Sequence, residues 1–241
     1  MYPAKQMSPR RSVALKIMHP RDSTDNTIAS IEKRELAFQT EIAILSTPLV
    51  VSVPWAIKMH KYGRISNDLF HDLPIIVLEL LDLRNDLQHR SQRRNATFSM
   101  REGYNFCAQF YTLLARVHAC SIAYTDFQPR HLFWDGKRMK IIDWNISVMN
   151  SGSEQRDNDL EGFIKVASDF LPAKIMSLLL DRSTALEALW HVVDFGKKQG
   201  FQRPSSVPTT RWLAKEIAST LSDKGNPLAA SWPNKRDQGS P

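Results

Sequence analysis

The feature that most constrains this chain is the order of elements written into residues 106–145. Phe106, Phe110, Leu113, Leu114 and Val117 recur at i, i+4, i+7, i+8 and i+11, a spacing that lines one face of a helix. A loop follows that holds Asp126, with Pro129 three residues on. Residues 131–134 and 139–142 are then two short apolar runs separated by Asp135-Gly136-Lys137, the signature of a β-hairpin. The second run leads directly into another carboxylate, Asp143, seventeen residues beyond Asp126. An Asp-x-x-Pro on its own says little, because aspartate is a common turn and cap residue. A helix, a loop, a hairpin and a second aspartate in that order are a far narrower specification.

Upstream, residues 13–18 are an apolar, β-competent run interrupted by Lys16 and followed by a polar turn at Pro20, Arg21, Asp22 and Ser23, which predicts a strand. A lysine inside an apolar strand needs an anion or a path to water. Over residues 28–45, Ile28, Ile31, Leu36, Phe38, Ile42 and Leu45 mix with charges at near-helical spacing, and Pro48 ends the run. Residues 50–62 begin β-branched and are broken by Pro54, and residues 75–80 predict a further strand, so a small antiparallel sheet beside one helix is expected. The polar stretch 82–97 marks a boundary. Its Arg84, Arg90, Arg93 and Arg94 lack the interleaved aromatics of a single-strand binding surface, so it is read as a solvated loop. Downstream, helices are expected over 163–180 with a break at Pro172, over 184–195 with a Thr184/Glu187 capping box, and over 212–221. From Lys224 onward glycine, asparagine, proline and serine give the composition of a disordered tail. The expected division is 1–81, 82–97, 98–223 and 224–241, with no internal repeat.

With 241 residues and 42% hydrophobic content, the chain can bury one large domain or two closely packed lobes. Cys107 and Cys120 sit in no CxxC or Cys/His pattern, which argues against a zinc or disulfide framework and for a reducing, cytoplasmic setting. The longest aliphatic run, around 73–81, is broken by Pro74 and Glu79 and falls short of the roughly 20 residues of a membrane helix, so no membrane partner is expected. No apolar block of signal-peptide length follows Lys5, Arg10 and Arg11, and the start reads as that of a mature cytosolic protein. The net charge of +7 concentrates anions of any kind, nucleotides and acidic surfaces included, while the loop composition speaks against nucleic acid.

Taken together, residues 13–165 resemble the protein kinase-like superfamily. Val13-Ala14-Leu15-Lys16 resembles the Val-Ala-Ile-Lys strand that presents a phosphate-gripping lysine. Glu41, in Glu41-Ile42-Ala43-Ile44-Leu45, stands where the family's helix carries the partner of that lysine, with Glu32 and Glu35 as rivals on the same helix. The run from His118 to Phe133 is similar to the catalytic loop, with Asp126 in the position of the base, and Ile141-Ile142-Asp143-Trp144-Asn145 is similar to the strand and metal-binding aspartate of the Asp-Phe-Gly motif. The resemblance implies an α+β, two-lobed fold with a small truncated β-rich N-lobe and a mainly helical C-lobe. It implies an ATP- and magnesium-dependent phosphotransferase with Asp126 catalytic, Lys16, Glu41 and Gln128 at the nucleotide, and Asp143 and His131 at the metal. The partners would be a nucleotide and a hydroxyl acceptor, either a small molecule or a protein.

The departures from the family are as informative. His131 replaces the catalytic-loop asparagine, Gln128 the lysine, Tyr124-Thr125 the His-Arg pair, and Asn145 the glycine after Trp144. The first glycine in the chain is Gly63, and only twelve residues precede Val13, so the glycine-rich loop is missing and either a truncated gene product or weak nucleotide binding is expected. Between Asp143 and Asp159-Leu160-Glu161-Gly162 there is no room for a long activation segment, which brings this part closer to aminoglycoside phosphotransferases. Asp157 or Asp159 would then be the helix aspartate bracing the catalytic loop. His131 reads either as a metal ligand, though nitrogen suits magnesium poorly, or as a histidine bonded to the loop backbone. A three-ligand hydrolytic site from Asp126, His131 and Asp143 is a rival reading that no further His/Glu spacing accompanies. The alternative function is a pseudokinase serving as a nucleotide-binding or protein-interaction scaffold.

Overall fold

The computed structural model describes residues 2–7, 10–18, 28–66, 72–93, 96–181 and 185–201. The expected turn at residues 20–23, Thr184 of the capping box, the helix over 212–221 and the tail from 224 lie outside the described residues. The fold is mixed α+β: an antiparallel sheet with a helix beside it, then a mainly helical body.

Strands β1 (Tyr2–Met7), β2 (Arg10–Ile17), β3 (Met59–Ile65) and β4 (Leu73–Glu79) form a four-stranded sheet in the order β1-β2-β4-β3. Every pairing is antiparallel, and the β2–β4 register sets Ala14 opposite Leu78 and Lys16 opposite Ile76. In β4 the period-two alternation buries Ile76 and Leu78 fully, which fixes the register because a one-residue slip would turn both to the other face.

Helix α1 (Ile28–Ser46) turns Phe38, Ile42 and Leu45 inward, while Ile31 and Leu36 are exposed. Only its C-terminal half therefore has the buried stripe that the spacing suggested for the whole run.

The β-branched start at residues 50–62 does not begin a strand. Residues Pro48–Val51 form a single helical turn, α2, with Pro48 in its first position and the Thr47 carbonyl accepting from the Val50 and Val51 amides. Proline has no N–H to lose there and its φ is already helical, so local cap geometry overrides the strand preference of Val50 and Val51.

The stretch 82–97 also differs from a solvated loop. A 3-10 turn at Leu83–Asn85 leads into α3 (Leu87–Ser91), where the buried Asp86 carboxylate accepts from the His89 amide at 2.6 Å. Arg90 is partly covered; its Nε donates to the Ala96 carbonyl at 2.7 Å and its guanidinium lies 4.4 Å from the centre of the Phe98 ring. Arg84, by contrast, is exposed.

Helix α4 (Met100–Ala119) opens on a Ser99/Glu102 capping box and buries Phe106, Phe110, Leu113, Leu114 and Val117, the predicted face. Against it pack α5 (Ser153–Ala167), α6 (Ala173–Leu180) and α7 (Ala185–Lys198), with Pro172 ahead of α6 at the expected break. Phe110 and Phe163 stack with ring centroids 4.0 Å apart, joining α4 to α5.

Two short ribbons complete the body: β5 (Ile122–Ala123) with β8 (Val148–Met149), and the predicted hairpin of β6 (Leu132–Trp134) with β7 (Met139–Ile141). Asp135 accepts from the Lys137 and Arg138 amides, and Gly136 takes φ +91°, the left-handed conformation that glycine allows freely. Gln109 of α4 fixes the hairpin by donating to the Lys137 carbonyl and accepting from the Met139 amide. On its other side the hairpin is bonded to the chain ahead of β3: the Ile141 amide donates to the Trp55 carbonyl and the Ile57 amide to the Ile141 carbonyl. Among the described residues no helix is long and apolar enough to cross a membrane.

Candidate functional site

Lys16 projects from β2 toward α1, and its Nζ donates to Glu41 Oε2 at 2.5 Å and to Asp143 Oδ1. Glu32 and Glu35 lie on the exposed part of α1, whereas Glu41 shares the inward face with Phe38 and Leu45. Burial works to lower the Lys16 pKa, but the charges of Glu41 and Asp143 outweigh it and leave the ammonium above its ordinary value. For Glu41 the balance runs the other way. Its side chain is fully buried, and desolvation raises its pKa despite the pull of Lys16 and of the Trp144 amide.

Asp143 follows β7 with φ +64°, in the left-handed region that aspartate tolerates better than most residues. The loop carrying Asp126 is held from three sides. The Asp159 carboxylate on α5 accepts from the Tyr124 amide at 3.1 Å, the Thr125 amide at 2.9 Å and His118 Nε2 at 2.8 Å, so Asp159 rather than Asp157 braces the loop. Those bonds hold Thr125 at φ +63°, a strained conformation for a β-branched residue. Tyr124, whose phenol pKa burial pushes well above its ordinary value, stays protonated and donates to the Ile142 carbonyl at 2.6 Å. Ser147 Oγ in turn donates to the Tyr124 carbonyl at 2.9 Å.

Within this frame Gln128 Nε2 donates to Asp126 Oδ1 at 2.7 Å. His131 Nδ1 lies 3.1 Å from the Asp126 carbonyl and 3.3 Å from its Oδ2, and His131 Nε2 lies 3.5 Å from Asp143 Oδ2. Asp126, His131 and Asp143 thus offer one ligand atom each, all within 4.8 Å of one another. Of the two sequence readings of His131, the backbone bond is made by one ring nitrogen while the other faces Asp143.

A cavity of about 780 Å³ lies beside this cluster, bordered by Ala14 and Ile57 on the sheet side, by residues 79–83, and by Phe133 and Ile142 of the hairpin region. Its polar border includes His131, Asp143, Arg130, Asp86 and His89. Lys16, Glu41, Asp126 and Gln128 do not line it; Lys16 bonds Asp143 and Asp126 lies against His131, while Glu41 and Gln128 stand one residue further back, on Lys16 and on Asp126.

Asp86, His89 and Arg130 were not singled out in the sequence. The pattern Asp86-Leu87-Gln88-His89, a cap residue ahead of a buried leucine, is a signal for the first two, and Arg130 carries none beyond its place beside His131. Neither the models of known protein families nor the curated proteins compared with this chain give a match.

Proposed function

We propose that the chain is an ATP- and magnesium-dependent phosphotransferase of two-lobed, protein kinase-like fold, acting on a hydroxyl acceptor. The observation that carries this reading is the convergence of Lys16 from β2 and Glu41 from α1 on Asp143, two residues past β7, which borders the cavity beside the Asp126 loop. At about 780 Å³ the cavity is of a size that takes a small ligand, and Ala14, Leu81, Phe133 and Ile142 give it apolar walls suited to a flat heteroaromatic base.

The donor set tests the fit of magnesium. The Asp143 carboxylate suits it, since magnesium takes one or two carboxylates and completes its shell with phosphate oxygens and water. His131 does not suit it. When bound, magnesium supplies charge neutralisation on the transferring phosphates. Lys16 grips the phosphates as a point charge, with Glu41 fixing its position. Asp126, one oxygen held by Gln128, takes the acceptor proton on the other. The short segment after Asp143 is pinned, with β8 on β5, Thr125 Oγ1 donating to the Ile146 carbonyl, and the Ser151 amide donating to the Ser121 carbonyl. A rim tied in this way favours a compact acceptor over an extended peptide.

Thermal stabilisation by ATP with and without magnesium, followed by ATP turnover, tests the reading. Asp126→Asn should lower turnover by roughly 10²- to 10⁴-fold and leave nucleotide affinity nearly unchanged, because a positioned base acts in the transition state. Equal turnover in variant and parent removes Asp126 from the reaction, and a protein that ATP fails to stabilise under either condition defeats the reading. A second reading, a nucleotide-binding scaffold without turnover, is favoured by His131, which offers no amide oxygen at the metal and whose Nδ1 is committed to the Asp126 backbone. Stabilisation by ATP without its consumption is the result that reading requires.

A further inference from the structure

We propose that His131 Nε2 and Asp143 Oδ2 form a site for a divalent ion of borderline softness, zinc or cobalt ahead of manganese, and that this site discriminates against magnesium. The proposal shares residues with the phosphotransferase reading but rests on the ligand atoms alone, and it is tested without nucleotide.

The tautomer of His131 is fixed twice over. Its Nδ1 lies 3.1 Å from the Asp126 carbonyl oxygen, which can only accept, so the proton sits on Nδ1. Arg130 Nε, which can only donate, points at Nε2 from 3.3 Å, so Nε2 carries a lone pair. That lone pair lies 3.5 Å from a carboxylate oxygen, Asp143 Oδ2. Arg130 now fills that lone pair with its own N–H; once that side chain swings aside, Nε2 and Oδ2 present two ligand atoms to a single cation.

The spacing suits an ion. Two ligands each about 2.0–2.2 Å from zinc at a tetrahedral angle stand roughly 3.4 Å apart. An N–H from the far ring nitrogen to a backbone carbonyl is also the support that ligating histidines characteristically have, since it holds the ring and raises the basicity of the ligating nitrogen. The His131 side chain is 4% exposed, so the ring is held in place.

The surrounding charges bear on entry. Lys16 bonds Asp143 Oδ1, leaving Oδ2 to the ion. Arg130 now supplies positive charge at Nε2 but is exposed and can swing outward. Asp126 is the third residue of the group, whose members offer one ligand atom each, all within 4.8 Å of one another. Imidazole nitrogen favours zinc and cobalt over manganese and is a poor ligand for magnesium, which holds to oxygen and octahedral geometry.

The test uses untagged full-length protein without nucleotide, titrated with Co²⁺ by visible absorption and with Zn²⁺, Mn²⁺ and Mg²⁺ by thermal shift. The expected result is one equivalent of Co²⁺ bound with imidazole ligation, and stabilisation by Zn²⁺ at concentrations where Mg²⁺ has no effect. His131→Asn and Asp143→Asn should each weaken Co²⁺ binding by about tenfold or more, and Arg130→Gln should tighten it. Unchanged Co²⁺ affinity in folded His131→Asn, or Mg²⁺ binding as tight as Zn²⁺, overturns the proposal. Should that variant fail to fold, the paramagnetically shifted His131 Nδ1–H resonance of the Co²⁺-loaded parent decides, and its absence also overturns the proposal. Turnover of ATP with magnesium alone would leave the phosphotransferase reading standing whatever this titration gives.

Discussion

Glu41 is a fully buried carboxylate with one cationic partner, and its titration has a measurable consequence. Burial holds its pKa above the ordinary 4.5, so the folded chain binds this proton more tightly than the unfolded chain does. Between 4.5 and its folded pKa, Glu41 therefore makes stability fall as pH rises, and acidification through that window relieves the cost of the buried charge. Glu41→Gln removes this contribution, and the variant's stability should fall less steeply, or rise more steeply, from pH 4.5 upward than the parent's. Urea midpoints across that range check it, and identical slopes would place the charge of Glu41 elsewhere in the balance. Of the three glutamates on α1 the partner of Lys16 was within reach of the sequence, since Glu41 lies three residues from Phe38 and four from Leu45 on the inward face. The left-handed backbone of Thr125 was not. Nothing local asks a threonine to take that conformation; the bonds from Asp159 and Ile146 impose it.

Elements whose signals are local were the legible ones. The α4 face and the β6–β7 hairpin follow from spacing and from Asp135-Gly136, and both stand where the sequence puts them. The α2 turn and the folded stretch around Asp86 were misread because a proline in a first-turn position and a capping aspartate outweigh propensity and polarity. Asp159 shows what one side chain can do for an element. Replacing it by alanine strands the Tyr124 and Thr125 amides and His118 in a buried setting, and should cost about 3 kcal/mol or more. A chemical denaturation curve for Asp159→Ala measures this, and a loss within a few tenths of a kcal/mol would mean that water or a shift of the loop replaces the carboxylate.

Across the whole molecule, the join between sheet and helical body was invisible in the sequence, because it is made by backbone groups far apart along the chain. Ile141 sits opposite Leu132 of its hairpin partner strand while its own amide and carbonyl bond Trp55 and Ile57, and Lys140 reaches Glu79 at the end of β4. Bonds buried at such a junction open only when the two parts separate. The Ile57 and Ile141 amides should therefore exchange with solvent deuterium as slowly as those of the α4 core. Exchange at the rate of the exposed β3 edge would show that the junction opens on its own. A book opens along its spine, and the Ile141 ladder is the spine between these two covers. Pages near the binding hardly travel while the outer margins sweep widely. Asp143 is two residues from that ladder, so any separation of sheet and helical body would displace Lys16, His131 and Asp143 least and the far border of the cavity most.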